Sequence, residues 1–574
     1  FPQEVEKPLN IVMLVPLNEL PGRAPDGSFE QLDEEWPLES ATQESGWLRG
    51  MVTALAQVTA PPPPRENARP NRRSRRERIR RRRAPLKPAR PTLKLALAPV
   101  PRLVEELADM ADGFRRADAG DQVTVEASAP GALAAAQTLA DLRTLVNRDG
   151  IQPILVPYAF PDLPALTLEE VAAQLDAAET TLSRLLGQAS DLSRTWLFPP
   201  AGRIDASALA DLRSLQAAEH TFSSEAAFAS DVAVAPGCPE PFASFTCPVS
   251  MEAGDDTSRG FVSDSKLQDL LGDLARSETP STVAMQRFWA DTVQVWAELP
   301  GTSNRVLYFA LPTTWHPSPA DAKRFFTSLK RAPWLRTLTP EEALARGEPQ
   351  PRPMVDFETG PTAEPQLDPT LAEAAERIAS LEALIPTTNR SSVQRQMLQR
   401  LNTNLLVARS RVWLDEELVD RGLSYASGTV EETDRHFQAV QIGGAEEIAL
   451  TSQRAPIQLL LLNQNAHPVA VRVYLESEGL ELQQDVLDEI VPAERTRQIQ
   501  IDAETRASGI FPLRVSVRTA DGFEIARTSI RIRSTEFNDV ALGLTIGALM
   551  FLIAFYVFRT TRRRSAAAAG TDAA

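Results

Sequence analysis

Hydrophobic positions along this chain follow two different periods, and the change between them divides it. In the first part, short wholly apolar runs alternate with segments of helical spacing. IVMLVPL (11–17), LKLALAP (93–99), ILVP (154–157), TWLFPP (195–200) and RVLYFALP (305–312) read as buried strands, because a strand covered on both faces needs no polar alternation. Between them, an amphipathic stretch near 46–58, RLVEELADMADGF (102–114), and residues 131–147, 168–187, 205–218 and 320–332 place apolar side chains at helical intervals. Strands alternating with helices predict a parallel sheet or barrel with helices outside, whose sites gather at the carboxyl ends of the strands. Residues 1–348 are therefore expected to form an α/β barrel-like domain.

A Pro-rich hinge at 349–369 opens the next part, and helical periodicity at 370–385 and 392–423 makes 349–430 a hinge and short helical connector. From about residue 446 the period becomes two. EIALTS, IQLLLLNQN, VAVRVYLESE, TRQIQID, LRVSVRT and EIARTSIRIRS read as strands, with Asp521-Gly522 at a hairpin. Six or seven short strands over about ninety residues predict an immunoglobulin-like β-sandwich at 440–536. Val540 to Phe558 is uncharged throughout and, as a helix of ~28 Å, matches the apolar thickness of a bilayer. It predicts a single transmembrane helix at 540–558. Arg559, Arg562, Arg563 and Arg564 follow it, which by the positive-inside rule puts the tail 559–574 in the cytoplasm and everything before the span outside it. Gly543 and Gly547 form a GxxxG step on which two such helices could approach, so a homodimer is a candidate state.

Charge adds one feature. The 574-residue chain carries a net −16, which excludes a general affinity for nucleic acid. Residues 61–92 run against this with thirteen Arg and Lys and two Glu, net +11. Proline and self-repulsion keep such a stretch from packing a core, so it is expected to be a disordered insertion, either a plain solvated loop or an arm for anionic lipids and polymers. Cys238 and Cys247 are the only cysteines, in CPEPFASFTC. They are expected to form a disulfide suited to an extracytoplasmic location.

Candidate chemistry is sparse. The four histidines, His220, His316, His436 and His467, are widely spaced, so no metal centre is expected, and no cofactor motif appears. Glycoside hydrolysis needs only two carboxylates at strand ends. Asp162 after ILVPYAFP, Glu225 in HTFSSE and Asp264 in FVSD occupy such places, while Tyr158, Trp196, Trp315 and His316 could stack on sugar rings. Each has an ordinary alternative: Asp162 and Asp264 could cap the turns or helices that follow, Glu225 could face solvent, and Trp315 with His316 could finish the core and rim.

Taken in order, VPLNELPGRAPDGSF, LVPYAFPDLPAL, LFPPAGRIDASALADL, the APWL at 332–335, LTSQRAPIQLLLLNQNAHPVAVRVYLES and IRIRSTEFNDVALGLTIGALMFLIAFYVFRTTRRR resemble a family of membrane-anchored actinobacterial envelope proteins, domain of unknown function 6049. That resemblance covers nearly the whole chain except the Arg-rich insertion. It implies a place in envelope biogenesis near the export of peptidoglycan precursors, without an established reaction. The N-terminal part is also similar to the barrels of polysaccharide deacetylases and glycoside hydrolases, an analogy of fold alone. Three functions follow as expectations: a non-catalytic module binding an envelope glycan or a membrane protein of cell-wall synthesis, a metal-independent glycosidase using Asp162 with Glu225 or Asp264, or a scaffold for a membrane flippase or synthase.

Overall fold

A computed structural model describes residues 5–31, 36–60, 92–118, 121–187, 192–228, 246–276, 279–302, 304–357, 367–388, 390–415, 417–450, 452, 454–506, 509–534 and 539–568. The predicted disordered insertion at 61–92 lies outside the described residues except for Thr92. The expected Cys238–Cys247 bridge has one end, Cys238, outside them as well.

Among the described residues, seven parallel strands form the ring of the first part: β1 Leu9–Leu17, β2 Leu95–Pro99, β3 Ile151–Pro153, β4 Trp196–Leu197, β5 His220–Ser224, β6 Asp256–Ser263 and β7 Val306–Ala310. Strand β1 pairs in parallel with its successor β2 (Leu14 opposite Ala96) and with β7 from late in the barrel segment (Ile11 opposite Leu307), and its amino half also pairs with the short parallel strand Leu335–Leu338 (Leu9 opposite Leu335). A first strand bonded both to its successor and to a strand this late in the segment curls the sheet into a ring. The ring continues from β2 to β3, through a parallel bridge between Leu155 and Leu197 to β4, then to β5 and β6. Among the described residues no ladder joins β6 to β7, so the ring has one seam there. The antiparallel strand Val249–Ala253 lies along β6, and Gln350–Pro353 extends that edge.

Helices α1 Trp47–Thr59, α2 Pro101–Ala111, α3 Pro130–Val146, α4 Leu168–Leu186, α5 Ala206–Ser214, α6 Ser265–Gly272, α7 Ser281–Glu298 and α8 Pro319–Arg331 alternate with the strands. Each presents an apolar stripe to the ring, as Leu103, Val104, Leu107 and Met110 do on α2. All nine residues of β1 are buried, which is why Ile11–Leu17 is continuously apolar instead of alternating, while the buried Asn10 donates to the Arg305 carbonyl at 2.9 Å. Phe198, Phe222, Phe261 and Tyr308 meet in one aromatic cluster, with the Phe222 and Tyr308 rings 4.9 Å apart. Burial alone pushes the Tyr308 phenol far above its ordinary range, so it stays neutral.

Helices α9 Leu367–Leu384, α10 Ser392–Ala408 and α11 Val419–Gln438 follow. The helix expected over 392–423 stops at Ala408 and gives way to a 3₁₀ turn at Arg411–Leu414. There the Arg411 N–H bonds to the Phe160 carbonyl at 3.0 Å, a contact a continuous helix would forbid. The chain divides into two compact units, 5–371 with 403–428, and 372–402 with 429–568, among the described residues. The domain boundary thus passes within these helices.

Among its described residues the second unit holds nine strands where the period-two pattern suggested six or seven. They are β8 Val440–Gly443, β9 Glu447–Leu450, β10 Arg454–Asn463, β11 Val469–Glu476, β12 Leu480–Leu482, β13 Val486–Val491, β14 Arg495–Thr505, β15 Gly509–Arg518 and β16 Glu524–Ser534. One sheet has the order β8-β10-β14-β12 and the other β9-β16-β15-β11-β13. Leu459 and Leu461, Val471 and Val473, Val515 and Val517, and Ile530 and Ile532 are buried while their neighbours face outward, which is the alternation read from the sequence. Gly522 takes φ +101° in the predicted Asp521-Gly522 hairpin, where a Cβ would strain the turn. Helix α12, Asp539–Ala568, contains the apolar stretch Gly543–Thr561, long and apolar enough to cross a membrane and unburied along its length.

The tightest backbone contact in the ring yields a prediction. A Cβ at Gly260 on β6 would stand 1.7 Å from the Thr221 carbonyl oxygen on β5. Gly260→Ala is expected to force the two strands apart and destabilise the barrel unit by about 3 kcal/mol or more, read as a lowered denaturation midpoint. An unchanged midpoint would show that the β5–β6 spacing is not what this glycine protects.

Candidate functional site

The carboxyl ends of β1, β2 and β3 open onto a buried ionic cluster built chiefly by α2. Pro101 starts this helix directly after β2, which swings Arg102 under the loop leaving β1. Its guanidinium is fully buried. It donates to Glu106 Oε2 at 2.8 Å, to Asn18 Oδ1 at 2.9 Å and to the Glu19 carbonyl. One residue earlier on the helix, Glu105 accepts from Arg184 at 2.7 Å and from the Tyr158 hydroxyl, and Arg23 stands 3.5 Å away. Arg23 is bonded in turn to Asp109 at 2.6 Å. Burial raises the Asp109 carboxyl against the pull of Arg23. Burial, reinforced by Glu105, keeps the Tyr158 phenol protonated. Tyr158 was a candidate sugar platform; it is 1% exposed, and its ring and hydroxyl are spent inside the cluster.

Beside this cluster, Glu19 accepts the Trp47 indole N–H at 2.6 Å, and the Trp47 ring stacks on His316, centroids 4.3 Å apart and 4° from parallel. His316 is exposed and so stays available at the rim. Its neighbour Trp315, another candidate platform, is buried against Phe325 at 5.2 Å. Trp196 is excluded for a different reason. It pairs with His220 at the opposite, amino end of the strands, is buried, and donates to Glu341 at 3.1 Å. Burial lowers the His220 imidazole below its ordinary value.

Asp162 lies in the loop after β3, which ends at Pro153; ILVP (154–157), read as the strand, is part of that loop apart from the bridge at Leu155. It makes no capping hydrogen bond to the 3₁₀ turn Leu163–Ala165. Instead its Oδ1 accepts from Arg203 Nε and from Arg411 Nη1, both at 2.8 Å. Burial lowers the Arg411 guanidinium somewhat, with Asp162 acting the other way. Two non-glycine residues with positive φ flank the site, Phe160 (+59°) and Ala201 (+55°). Such backbone costs about 1–3 kcal/mol each and persists only where packing enforces it. The Arg203 guanidinium also lies 4.6 Å over the Phe357 ring. With Oδ1 shared between two arginines, this carboxylate is committed to tying the loop after β3 to Arg203 and Arg411.

The other two candidate carboxylates approach one another at the ends of β5 and β6. Asp264 is the N-cap of α6, accepting the Leu267 N–H at 2.9 Å, as the capping alternative required. Burial raises its carboxyl above the ordinary range; the Leu267 bond opposes this, and the negative charges of Glu225 and Asp291 add to it. Asp291 is paired with Lys266 at 2.9 Å. Glu225 is half-buried. Among the described residues, no three His, Cys, Asp or Glu gather in a way that could hold a metal ion.

The Arg102 cluster was missed by sequence reasoning, although a signal for it existed: Arg and Glu four apart in the first turns of a helix that starts at a strand's end. Removing Arg102 would leave Glu106 buried without a counter-charge. Arg102→Met is expected to cost about 3–5 kcal/mol. Adding Glu106→Gln should recover a large part, measured by denaturant unfolding of the single and double variants. Equal stability of all forms would mean that water reaches the pair.

The family described as "Family of unknown function (DUF6049)" matches residues 136–569. No curated protein matches the chain. Among solved structures, a GH57-type branching enzyme from Pyrococcus horikoshii is similar at 14% identity and TM-score 0.46, over 75% of this chain and 89% of that one. The alpha-amylase AmyC from Thermotoga maritima gives 12% and 0.46 over 75% and 93%. A 4-alpha-glucanotransferase from Thermococcus litoralis gives 12% and 0.45 over 89% and 85%. Identities and scores this low transfer no chemistry from those enzymes.

Proposed function

This chain belongs to the DUF6049 family, whose function is unknown, and from that premise we propose that it is a membrane-anchored binding protein of the cell envelope. In this reading the barrel unit and the immunoglobulin-like β domain lie outside the membrane, the tail after Arg559 lies in the cytoplasm, and the barrel mouth engages an envelope glycan or a protein of cell-wall synthesis. The observation that carries it is the state of the mouth. Glu105, Glu106, Asp109 and Asp162 are each tied to arginine, and Glu19 is held by the Trp47 indole. Groups so engaged are spent in positioning one another and in holding the rim in one arrangement. The exposed His316 ring, stacked on Trp47, offers a flat rim where a sugar or a peptide could rest.

One specific observation favours a second reading, a glycosidase. Asp264 is buried, its carboxyl is raised, and Glu225 is its electrostatic neighbour, which is the asymmetry an acid and base pair requires. A general acid held this way would be most protonated, and the rate highest, as pH falls through its raised pKa.

The two readings separate in one experiment. The full-length chain in phospholipid nanodiscs is incubated with cell-wall glycan fragments between pH 5 and 8, and products are followed by mass spectrometry. Binding without turnover is expected. Turnover that rises towards acid and falls 10²-fold or more in Asp264→Asn would replace the binding reading by the enzyme.

A further inference from the structure

The β domain carries opposite charge on its two outer faces. Residues directly opposite on neighbouring strands share a face, so the register fixes which side chains stand together. On the sheet β9-β16-β15-β11-β13 the outward positions include Arg472, Arg514, Arg518, Arg527, Arg531 and Arg533. Four carboxylates stand among them, Glu447, Glu476, Asp488 and Glu524, so the face is positive. On the outer face of the other sheet Arg454 meets Glu481, Asp502 and Glu504. That face is negative, like the chain as a whole.

The positive face is also where this domain shows apolar side chains to water. Among the described residues of its strands, the exposed large hydrophobics are Ile510 (66%), Ile490 (58%) and Val486 (39%). Ile510 stands opposite Arg533, Val486 opposite Tyr474 and Ile490 opposite Ala470, all of them outward positions. We infer that this face is a docking surface for a bilayer containing anionic phospholipid, the same bilayer that α12 spans. The inference rests on the anchoring proposed above and adds a lipid-binding surface to it.

Phosphate chemistry suits the arginines, since a guanidinium grips phosphate oxygens through two parallel N–H bonds. Their present partners hold them weakly. Arg514–Glu476 at 3.6 Å, Arg518–Glu524 at 3.5 Å and Arg531–Glu447 at 3.7 Å are longer than charge-assisted hydrogen bonds, and exposed pairs contribute little. Arg472–Asp488 and Arg527–Glu524 are closer, at 2.7 and 2.8 Å, yet also open to water. At the middle of the face a hollow of about 730 Å³ is lined by Tyr474, Arg514, Ser516, Arg518 and Arg527 among others. The Arg518 guanidinium lies 4.9 Å over the Tyr474 ring, joining a cation to an amphipathic ring of the kind that settles at lipid interfaces.

The aliphatic side chains decide between a lipid and a soluble polyanion. A hydrophilic polymer would pair with the arginines but leave Ile510, Ile490 and Val486 in water. A bilayer accepts both, with phosphates at the guanidinium groups and the aliphatic tips at the acyl boundary. Proximity favours the lipid as well, because only residues 535–538 separate β16 from α12. Ile510 and Arg533 sit at the end of the face nearest that junction, one step before Ser534.

Two variants test this by placing a fluorophore on each face of the full-length chain: Ser529→Cys, outward on β16, and Gln500→Cys, outward on β14, both exposed. The wild-type chain is the labelling control. The protein is held in nanodiscs of phosphatidylcholine, with or without phosphatidylglycerol, containing a lipid whose headgroup carries a nitroxide quencher. With phosphatidylglycerol, quenching is expected at Ser529 and not at Gln500, since two packed sheets about 10 Å apart lie between the labels. That quenching is expected to be lost in Arg514→Gln/Arg531→Gln/Arg533→Gln, at an unchanged denaturation midpoint because all three side chains are exposed. Equal quenching of the two labels, or none in discs that retain the chain, would overturn the lipid face and leave the anchor standing. Quenching at Ser529 that survives the triple variant or the omission of phosphatidylglycerol would overturn its anionic chemistry. Soluble polyglutamate that binds the wild type and not the triple variant, with no quenching at Ser529 in either lipid, would reassign the face to a polyanion in solution. Extraction of the chain from liposomes by alkaline carbonate would overturn the anchoring reading and this inference together.

Discussion

The buried contact between Arg102 and Glu106 is the point on which the barrel mouth depends. Neither charge could stand alone in that position, and the contact holds because each partner has further bonds: Arg102 to Asn18 and the Glu19 carbonyl, Glu106 to the Gly22 N–H. Those extra bonds run to the loop after β1, so satisfying the pair also fixes the loop. With the loop fixed, Glu19 is placed to receive Trp47, and Arg23 to join Asp109 and Glu105. The rim is thus assembled by electrostatic necessity on a framework that hydrophobic burial supplies.

How much of this could be read beforehand follows from the range of each interaction. Strand β1 and the apolar stretch of α12 were legible because their signals are local and continuous, each an unbroken apolar run in sequence. The alternation in β10, β11, β15 and β16 was equally plain. Asp162 was rightly placed after a strand, but its partners Arg203 and Arg411 lie 41 and 249 residues further on, and no local pattern announces pairings across such distances. Trp196 shows the opposite failure. Its strand was recognised, yet β4 has only two residues, too short to tell which end of the barrel its first side chain would occupy.

Helix boundaries were lost where tertiary contacts overrode periodicity. Apolar spacing continued through 409–414, but the chain leaves the helix so that Arg411 can reach Asp162 and Trp413 can pack beside Gly422, where a Cβ would come within 2.8 Å of the indole. Helix α11 was read only as far as residue 423 of its span Val419–Gln438, for a related reason. Gly422 and Gly428 dilute its helical propensity, although close packing against Trp413 and Pro25 is what they serve. Propensity and packing conflict at these glycines, and packing prevails.

The junction between β16 and α12 sets a length scale. Strand β16 ends at Ser534 and the helix begins at Asp539, five residue steps that reach at most about 17 Å when fully drawn out. If α12 spans a bilayer, that reach keeps the end of β16 close to the lipid surface. The β domain would then explore a thin layer instead of a volume, and encounters with other molecules anchored in the same layer would be governed by surface density. Confinement of that kind raises effective concentration without any added contact, so even a weak intrinsic affinity for a co-anchored partner could give substantial occupancy.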